Sequence, residues 1–346
     1  MPGLAEVLGL LFTLFVGVSA AMLLAPLEAL GWWAGWYNDD AHPSVPGGVR
    51  ALVEDSSAAP RAHYIVFLDG VAKATPENYD DVQDLLDRLS AALPDAAVLG
   101  DVLPYAVSGA PLTTSRPLSR FWRYARERKL KDANNPFGFL INVRNIFQVL
   151  VSADKRYGPI YHLGEAQTII QDLLNHGYRP GSGVPITLIG FSGGAQVAAG
   201  VTPFLKRLLS APIDLISLGG VVSADAGLLD VRYLYHLAGS KDPVEKFSTL
   251  LFPGRWSWVA SSSWNRAKRR GKFTYIPMGP LTHNGPGNYI DEASFLPNGE
   301  SHLAHTAATI LKILEHGDEI RKNRVRRGGV RYVYKGSSAA AQKRAT

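Results

Sequence analysis

The pentapeptide Gly190–Gly194, which reads Gly-Phe-Ser-Gly-Gly, constrains the fold of this chain more than any other stretch of its sequence. It fits the pattern G-x-S-x-G, and it stands between an apolar run, Ile186–Ile189, and a small-residue stretch, Ala195–Gly200. These neighbours predict a β-strand that turns sharply into a helix, with Ser192 in a strained backbone conformation. The flanking glycines let strand and helix approach closely, so Ser192 is expected to stand clear of the sheet.

Strand and helix patterns alternate over most of the chain, which predicts an α/β fold with a mostly parallel sheet covered on both faces. The predicted strands are 63–68, 96–103, 186–189, 215–218, 233–237 and 273–276. The predicted helices are 76–93, 164–175, 195–209 and 302–315. Because 46% of the residues are hydrophobic and 19% are charged, the chain suits one large α/β domain, placed at 61–318.

The predicted strand, serine turn and helix resemble the nucleophile turn of the α/β-hydrolase superfamily, in its lipase and esterase branch. The resemblance extends over about residues 63–315 and implies a doubly wound sheet with a nucleophile, an acid and a histidine in that order along the chain. Ser192 would be the nucleophile. Asp242, in a turn after an apolar strand, would be the acid, and Asp225, after the preceding strand, is the reserve candidate.

The histidine of such a triad is expected in a mobile loop after the last strand, and His283 lies there. His302 and then His305, at the start of the final predicted helix, are the alternatives. The resemblance implies an acyl-enzyme mechanism in which His283 removes the proton of Ser192 while Asp242 orients the imidazole.

An oxyanion hole is also implied, made of two backbone N–H groups that face the developing negative oxygen. Gly193 would supply one donor, and the loop after the first strand, at Gly70 and Val71, would supply the other. The chain has Asp69-Gly70 where many members of the superfamily have His-Gly, which puts the second donor in doubt.

Such a mechanism requires no metal and no organic cofactor. The chain has no cysteine, which excludes disulfides, cysteine–zinc sites and a thiol nucleophile. The sequence also lacks the zinc-ligand spacing H-E-x-x-H.

The N-terminal segment Val7–Leu27 contains no charged residue and would span about 31 Å as a helix, close to the thickness of a bilayer's hydrocarbon core. Trp32, Trp33 and Trp36 follow it and would suit the lipid–water interface. We expect residues 1–37 to form a single-pass membrane anchor, with a cleaved signal peptide as the alternative. The first downstream cation favours a cytoplasmic domain under the positive-inside rule.

Three further segments depart from the α/β pattern. Residues 38–60 are predicted to be a linker, residues 116–161 a lid-like insertion, and residues 319–346 a basic tail. Basic clusters in the insertion, around 266–272 and in the tail account for much of the formal charge of +6. Without a nucleic-acid motif, membrane lipid is the specific partner we expect, against a merely solvated basic face.

Together these features predict a membrane-anchored serine esterase or lipase that acts on a lipophilic ester. Two alternatives stay open at this point: a non-catalytic membrane adaptor that retains the fold, and an acyltransferase that uses the same triad. The adaptor would place the serine, acid and histidine too far apart for hydrogen bonds. The sequence indicates no oligomeric state.

Overall fold

The computed structural model describes residues 58–70, 80–102 and 146–326, together with seven isolated positions between 8 and 19. Its centre is a six-stranded sheet with the strand order β2-β1-β3-β4-β5-β6, in which every neighbouring pair is parallel. The strands are β1 His63–Leu68, β2 Ala96–Val102, β3 Ile186–Phe191, β4 Ile213–Leu218, β5 Tyr233–Ala238 and β6 Phe273–Pro277. The α/β class and the parallel sheet predicted from the sequence are thereby confirmed.

Six helices whose two ends are both described accompany the sheet. They are α1 Asp80–Ala92, α2 Gly158–Asn175, α3 Gly194–Leu209, α4 Pro243–Leu251, α5 Ser263–Arg269 and α6 His302–Arg326. Two short 3-10 turns, Ala226–Leu229 and Pro253–Arg255, precede β5 and α5. The sequence patterns did not predict α4 and α5, because each has fewer than three full turns.

The strand residues alternate between two hydrophobic layers, as parallel strands covered on both faces require. One layer places Leu188 of β3 with buried residues of α2, α3 and α5. The other places the neighbouring Ile189 with buried residues of α1 and α6. The sheet is therefore covered by helices on both faces, as expected of a doubly wound arrangement.

The order of the strands positions the site. The chain passes from β1 outward to β2 and then returns to β3 on the other side of β1. The carboxyl ends of β1 and β3 are thus neighbours at the point where the winding reverses, and ligands of open α/β sheets bind at such points. Gly70 follows β1 there, and Ser192 follows β3.

Several sequence-based boundaries differ from the structure. Helix α2 begins six residues before the expected Gly164, inside the segment assigned to the lid-like insertion, and residues 146–152 are also helical. Helix α6 extends beyond the expected end at 315, across a kink at His316. The remainder of the insertion, most of the linker, Val71 and the end of the basic tail lie outside the described residues.

The predicted membrane anchor also lies almost entirely outside the described residues. Among the residues that the structure describes, no helix combines the length and the apolar character needed to cross a membrane. The anchor therefore stays a prediction from the sequence.

Candidate active site

Ser192 occupies the sharp turn between β3 and α3 in a left-handed backbone conformation, with φ of 52°. Only glycine adopts this region without strain, so the surrounding structure must hold the serine there. A side chain at Gly190 would collide with the backbone of Ala195, and one at Gly194 with the carbonyl oxygens of Leu68 and Asp69. The two glycines are thus required by close backbone approach, as the motif predicted.

Ser192 is more enclosed than the sequence suggested. The residue is only 6% exposed, although it lies beyond the end of β3. A Cβ atom built on Gly70 would come within 2.8 Å of the Ser192 Cβ, so the backbone after β1 lies directly against the serine. The carbonyl oxygen of Ser192 also accepts the Val221 N–H at 2.9 Å, which fixes the turn from the side of β4.

His283 reaches the serine from the loop that connects β6 to α6. Its Nε2 atom lies 2.8 Å from the Ser192 Oγ, and its Nδ1 atom lies 2.9 Å from the Oδ2 of Asp242. The ring stacks on Phe191 with the centroids 5.4 Å apart and an angle of 18° between the planes. His283 is buried rather than carried on a mobile exposed loop, because Phe191 and Asp242 enclose it.

Asp242 begins helix α4 as its N-cap residue. Its Oδ1 accepts the backbone N–H groups of Val244 at 2.8 Å and Glu245 at 2.9 Å, while its Oδ2 faces His283. Burial alone would raise the pKa of Asp242. The hydrogen bond and charge of His283, with the Glu245 amide and a tyrosine hydroxyl, outweigh burial and hold this pKa below its ordinary value. The carboxylate is therefore ionised at neutral pH and can accept the His283 Nδ1–H.

The tyrosine hydroxyl belongs to Tyr289, which the sequence analysis did not identify. Tyr289 donates to the Asp242 Oδ2 at 2.7 Å and accepts the N–H of Gly239 at 2.8 Å. Its side chain is fully buried, and burial together with the Asp242 charge raises the pKa of the phenol. Gly219, with φ of 53°, leaves the space that the ring occupies, since a Cβ there would lie 2.6 Å from the Tyr289 Cε2.

Three residues were expected to supply the N–H donors of an oxyanion hole. Gly193 follows the serine and caps α3, which places its amide at the positive end of that helix. The Gly70 N–H donates to the Oδ1 of Asp69 at 2.6 Å. The Asp69-Gly70 pair thus uses internally the amide that the resemblance assigned to the oxyanion hole. Val71, the remaining candidate, lies outside the described residues.

The reserve candidates do not contact Ser192. Asp225 caps the 3-10 turn before β5, where it accepts the Gly227 N–H at 2.8 Å and the Gln196 amide at 3.1 Å. The His302 Nδ1 lies 3.0 Å from the Gly287 carbonyl oxygen and 3.2 Å from that of Asn288, so this histidine supports the loop that carries His283. His305 pairs with Glu300 at 3.2 Å.

A second serine, histidine and carboxylate form hydrogen bonds below the first set. The Ser217 Oγ lies 2.9 Å from the His236 Nδ1, and the His236 Nε2 lies 3.0 Å from the Glu245 Oε1. Arg255 donates to the same carboxylate at 2.7 Å and also binds Ser248. Burial would raise the pKa of Glu245, but His236 and Arg255 outweigh it and lower this pKa to about 2. We call these five side chains the buried polar cluster.

Comparison with known proteins adds no family to these observations. No protein-family model matches the chain, and no curated protein is significantly similar to it in sequence. The candidate function is therefore argued from the site alone.

Proposed function

We propose that this chain is a serine hydrolase of the α/β-hydrolase type, esterase- or lipase-like, which cleaves a carboxylic ester through an acyl-enzyme on Ser192. One observation carries the proposal: Ser192, held in the strained turn after β3, begins a hydrogen-bonded series through His283 to Asp242, with contacts of 2.8 Å and 2.9 Å. The three side chains come from loops after three different strands, which is the arrangement used for nucleophilic catalysis by serine.

The reaction begins with proton transfer. With Asp242 ionised, the His283 Nδ1–H points to the carboxylate and the Nε2 is free of a proton, so it can accept the hydroxyl proton of Ser192. The Ser192 oxygen then bonds to the ester carbonyl carbon, and the C–O bond to the alcohol breaks as His283 returns the proton to the departing oxygen. Water repeats the sequence on the acyl-enzyme and releases the acid.

The developing negative oxygen requires N–H donors. The amide of Gly193 is the first, and the helix that begins there adds a favourable dipole. Because the Gly70 N–H is bonded to Asp69, Val71 is the remaining candidate of that loop for the second donor.

The hydrogen-bonded geometry favours an enzyme over the non-catalytic adaptor, since the adaptor needs no contact between these side chains. A lipophilic ester and a membrane-attached, single-pass protein with a cytoplasmic domain remain part of the proposal, supported by the uncharged segment Val7–Leu27. Acyl transfer to an alcohol in place of water is the second outcome that the same residues support.

A fluorophosphonate probe tests the proposal, because it reacts with activated serines. The full-length protein should be labelled, and Ser192→Ala should abolish the label, while Ser261→Ala, at an exposed serine distant in sequence, should retain it. Folded wild-type protein that takes no label would refute the proposal. Product analysis of a p-nitrophenyl ester with an added alcohol then separates hydrolysis from acyl transfer.

A further inference from the structure

Helix α4 directs polar residues to the protein interior and apolar residues to solvent, the opposite of an ordinary surface helix. Its buried face carries Glu245 and Ser248. Its solvent face carries Phe247, Leu250 and Leu251, which are 58%, 65% and 37% exposed. Positions 247, 250 and 251 follow the helical spacing of three and four, so these apolar side chains share one face.

The buried polar cluster keeps the helix in this orientation. Glu245 contacts both His236 and Arg255, and Ser248 binds Arg255, all beneath the helix. A rotation of α4 that hid its apolar face would leave the Arg255 charge buried without its carboxylate, which is strongly unfavourable. The exposure of the apolar face is thus maintained by interactions on the opposite side.

The apolar surface continues beyond the helix. The Trp256 indole N–H donates to the Thr249 carbonyl oxygen at 2.8 Å, which lays this ring along α4. Trp258 packs on Trp256 with the ring centroids 4.8 Å apart and is itself 74% exposed. We call Phe247, Leu250, Leu251, Trp256 and Trp258 together the α4 surface. Indole rings favour the interface between lipid and water.

The exposed charge of the chain segment that carries the α4 surface has one sign. The stretch 239–272, all of it described by the structure, contains two acids, Asp242 and Glu245, and both are buried. Six cationic side chains of the same stretch reach solvent: Lys241, Lys246, Arg266, Lys268, Arg269 and Arg270. A partner of this surface must therefore combine an apolar layer with negative charge.

We propose that the α4 surface docks onto a bilayer that contains anionic lipid. The hydrocarbon accepts the leucine and phenylalanine side chains, the headgroup layer accepts the indoles, and the anionic headgroups meet the cations. A second copy of the same surface would bring like charges together. The segment 116–131 of this chain, with seven basic residues and one acid, meets the same objection.

The docked orientation would place the reaction centre next to the bilayer, because Asp242 begins the helix that carries the α4 surface. This part of the inference concerns the supply of a lipid substrate and rests on the proposed function. The docking itself does not, and it can be measured in Ser192→Ala protein that turns nothing over.

The absence of cysteine allows a clean experiment, since a single introduced cysteine is the only labelling position. We would place an environment-sensitive nitrobenzoxadiazole dye on Leu250→Cys in the full-length Ser192→Ala chain. Ser90→Cys, exposed on α1 on the other face of the sheet, is the matched control. Vesicles of phosphatidylcholine with phosphatidylglycerol should shift the emission of the dye at 250 to the blue and leave the dye at 90 unchanged.

Because both labelled proteins retain the same N-terminal segment, attachment through that segment cannot produce a difference between them. No shift at 250, an equal shift at 90, or an equal shift on vesicles of phosphatidylcholine alone would each overturn the inference. A dye at 250 that already emits as in an apolar environment without lipid would do the same, because another part of the chain or a second copy would then cover the helix.

Reversal of one charge tests whether anionic headgroups contribute to the docking. Lys246→Glu in the Leu250→Cys background reverses an exposed cation next to the apolar face. Reversal removes one favourable charge and adds one unfavourable charge, so the lipid concentration for a half-maximal shift should rise roughly tenfold or more. An unchanged midpoint would contradict the assignment of anionic lipid.

Discussion

Two hydrogen-bonded serine–histidine–carboxylate groups are held by the strands and strand ends of one sheet, and the hydrogen-bond distances in the two groups barely differ. In the group of Ser192, the serine–histidine and histidine–carboxylate distances are 2.8 Å and 2.9 Å. In the group of Ser217, they are 2.9 Å and 3.0 Å. Their surroundings differ in every respect that matters to chemistry. Ser192 follows the strand in a strained turn, whereas Ser217 lies within β4 and has no exposed surface.

The two histidines also face their partners through opposite nitrogens. His283 presents Nε2 to its serine and Nδ1 to its carboxylate, while His236 presents Nδ1 to Ser217 and Nε2 to Glu245. Glu245 is further shared with the buried Arg255, and a side chain at Gly220 would collide with the Ser217 Oγ. No substrate can approach that serine. The comparison teaches that hydrogen-bond distances alone do not identify a nucleophile.

Replacement of either histidine by asparagine should reveal the largest difference between the two groups. His283→Asn removes the proposed base and should lower kcat by about 10⁴-fold or more, with little change in Tm. His236→Asn disturbs three buried polar partners and should cost about 2–4 kcal/mol of unfolding free energy while the folded protein keeps most of its kcat. Ester turnover and thermal unfolding of both variants provide the test. The assignment of roles fails if His236→Asn, still folded, loses turnover to the same extent.

Glu245→Gln should reveal the electrostatic role of the buried polar cluster. The pKa of Glu245 is about 2 in the folded protein and 4.5 ordinarily, so its ionised form favours folding by roughly 3 kcal/mol at neutral pH. This contribution is complete above about pH 4.5 and is lost as the pH falls toward 2. The variant should therefore be less stable than the wild type at pH 7, and the difference should shrink as the solution is acidified.

Urea unfolding at pH 7 and at successively lower pH measures this difference, with Glu300→Gln, at a half-exposed glutamate far from the cluster, as the control. A constant difference between Glu245→Gln and wild type across the acid range would contradict the proposed charge pairing.

Tyr289→Phe should give the smallest of the three effects. It removes one hydrogen bond to the Asp242 carboxylate and leaves the Gly239 N–H without its acceptor, so kcat/KM should fall about tenfold. Because the carboxylate loses a donor, the pKa of Asp242 should rise and the coupled Asp242–His283 pair should take up a proton at higher pH, which moves the acidic limb of the rate profile to higher pH.

Tyr178→Phe is the matched control for this change, since Tyr178 is equally buried and donates to the Val184 carbonyl oxygen at 3.1 Å, away from the triad. Both variants should lose stability to a similar degree. A positioning role for Tyr289 is wrong if the two variants lose kcat/KM equally or if the rate profile of Tyr289→Phe does not move.

Local patterns in the sequence predicted the strands and most of the longer helices. The strands of the sheet were predicted to within about two residues at each end, because a buried parallel strand is a continuous apolar run that needs no knowledge of its neighbours. Helix α4 was not predicted because it spans only nine residues, too few for a helical period to stand out in the sequence. That its apolar face meets the solvent could not be read from the pattern at all.

The residues of the candidate site were likewise predicted only in part. Ser192, Asp242 and His283 were ranked first because each sits at a recognisable place after a strand, and the structure brings the three together. Tyr289 had no motif to mark it, since its contact with Asp242 joins positions 47 residues apart. The bond between the Gly70 amide and Asp69 was equally invisible, although the unusual Asp69-Gly70 pair pointed to a difference at that place.

By itself the sequence determined the strained serine turn, because steric exclusion between adjacent backbone segments is a local effect that glycines at 190 and 194 reveal directly. The tertiary structure decided which of the candidate carboxylates and histidines contact the serine and each other, and which helix face meets the solvent. Those outcomes depend on the parallel strand order and on pairing of buried charges between distant residues, and side-chain electrostatics of that kind exists only once the chain has folded.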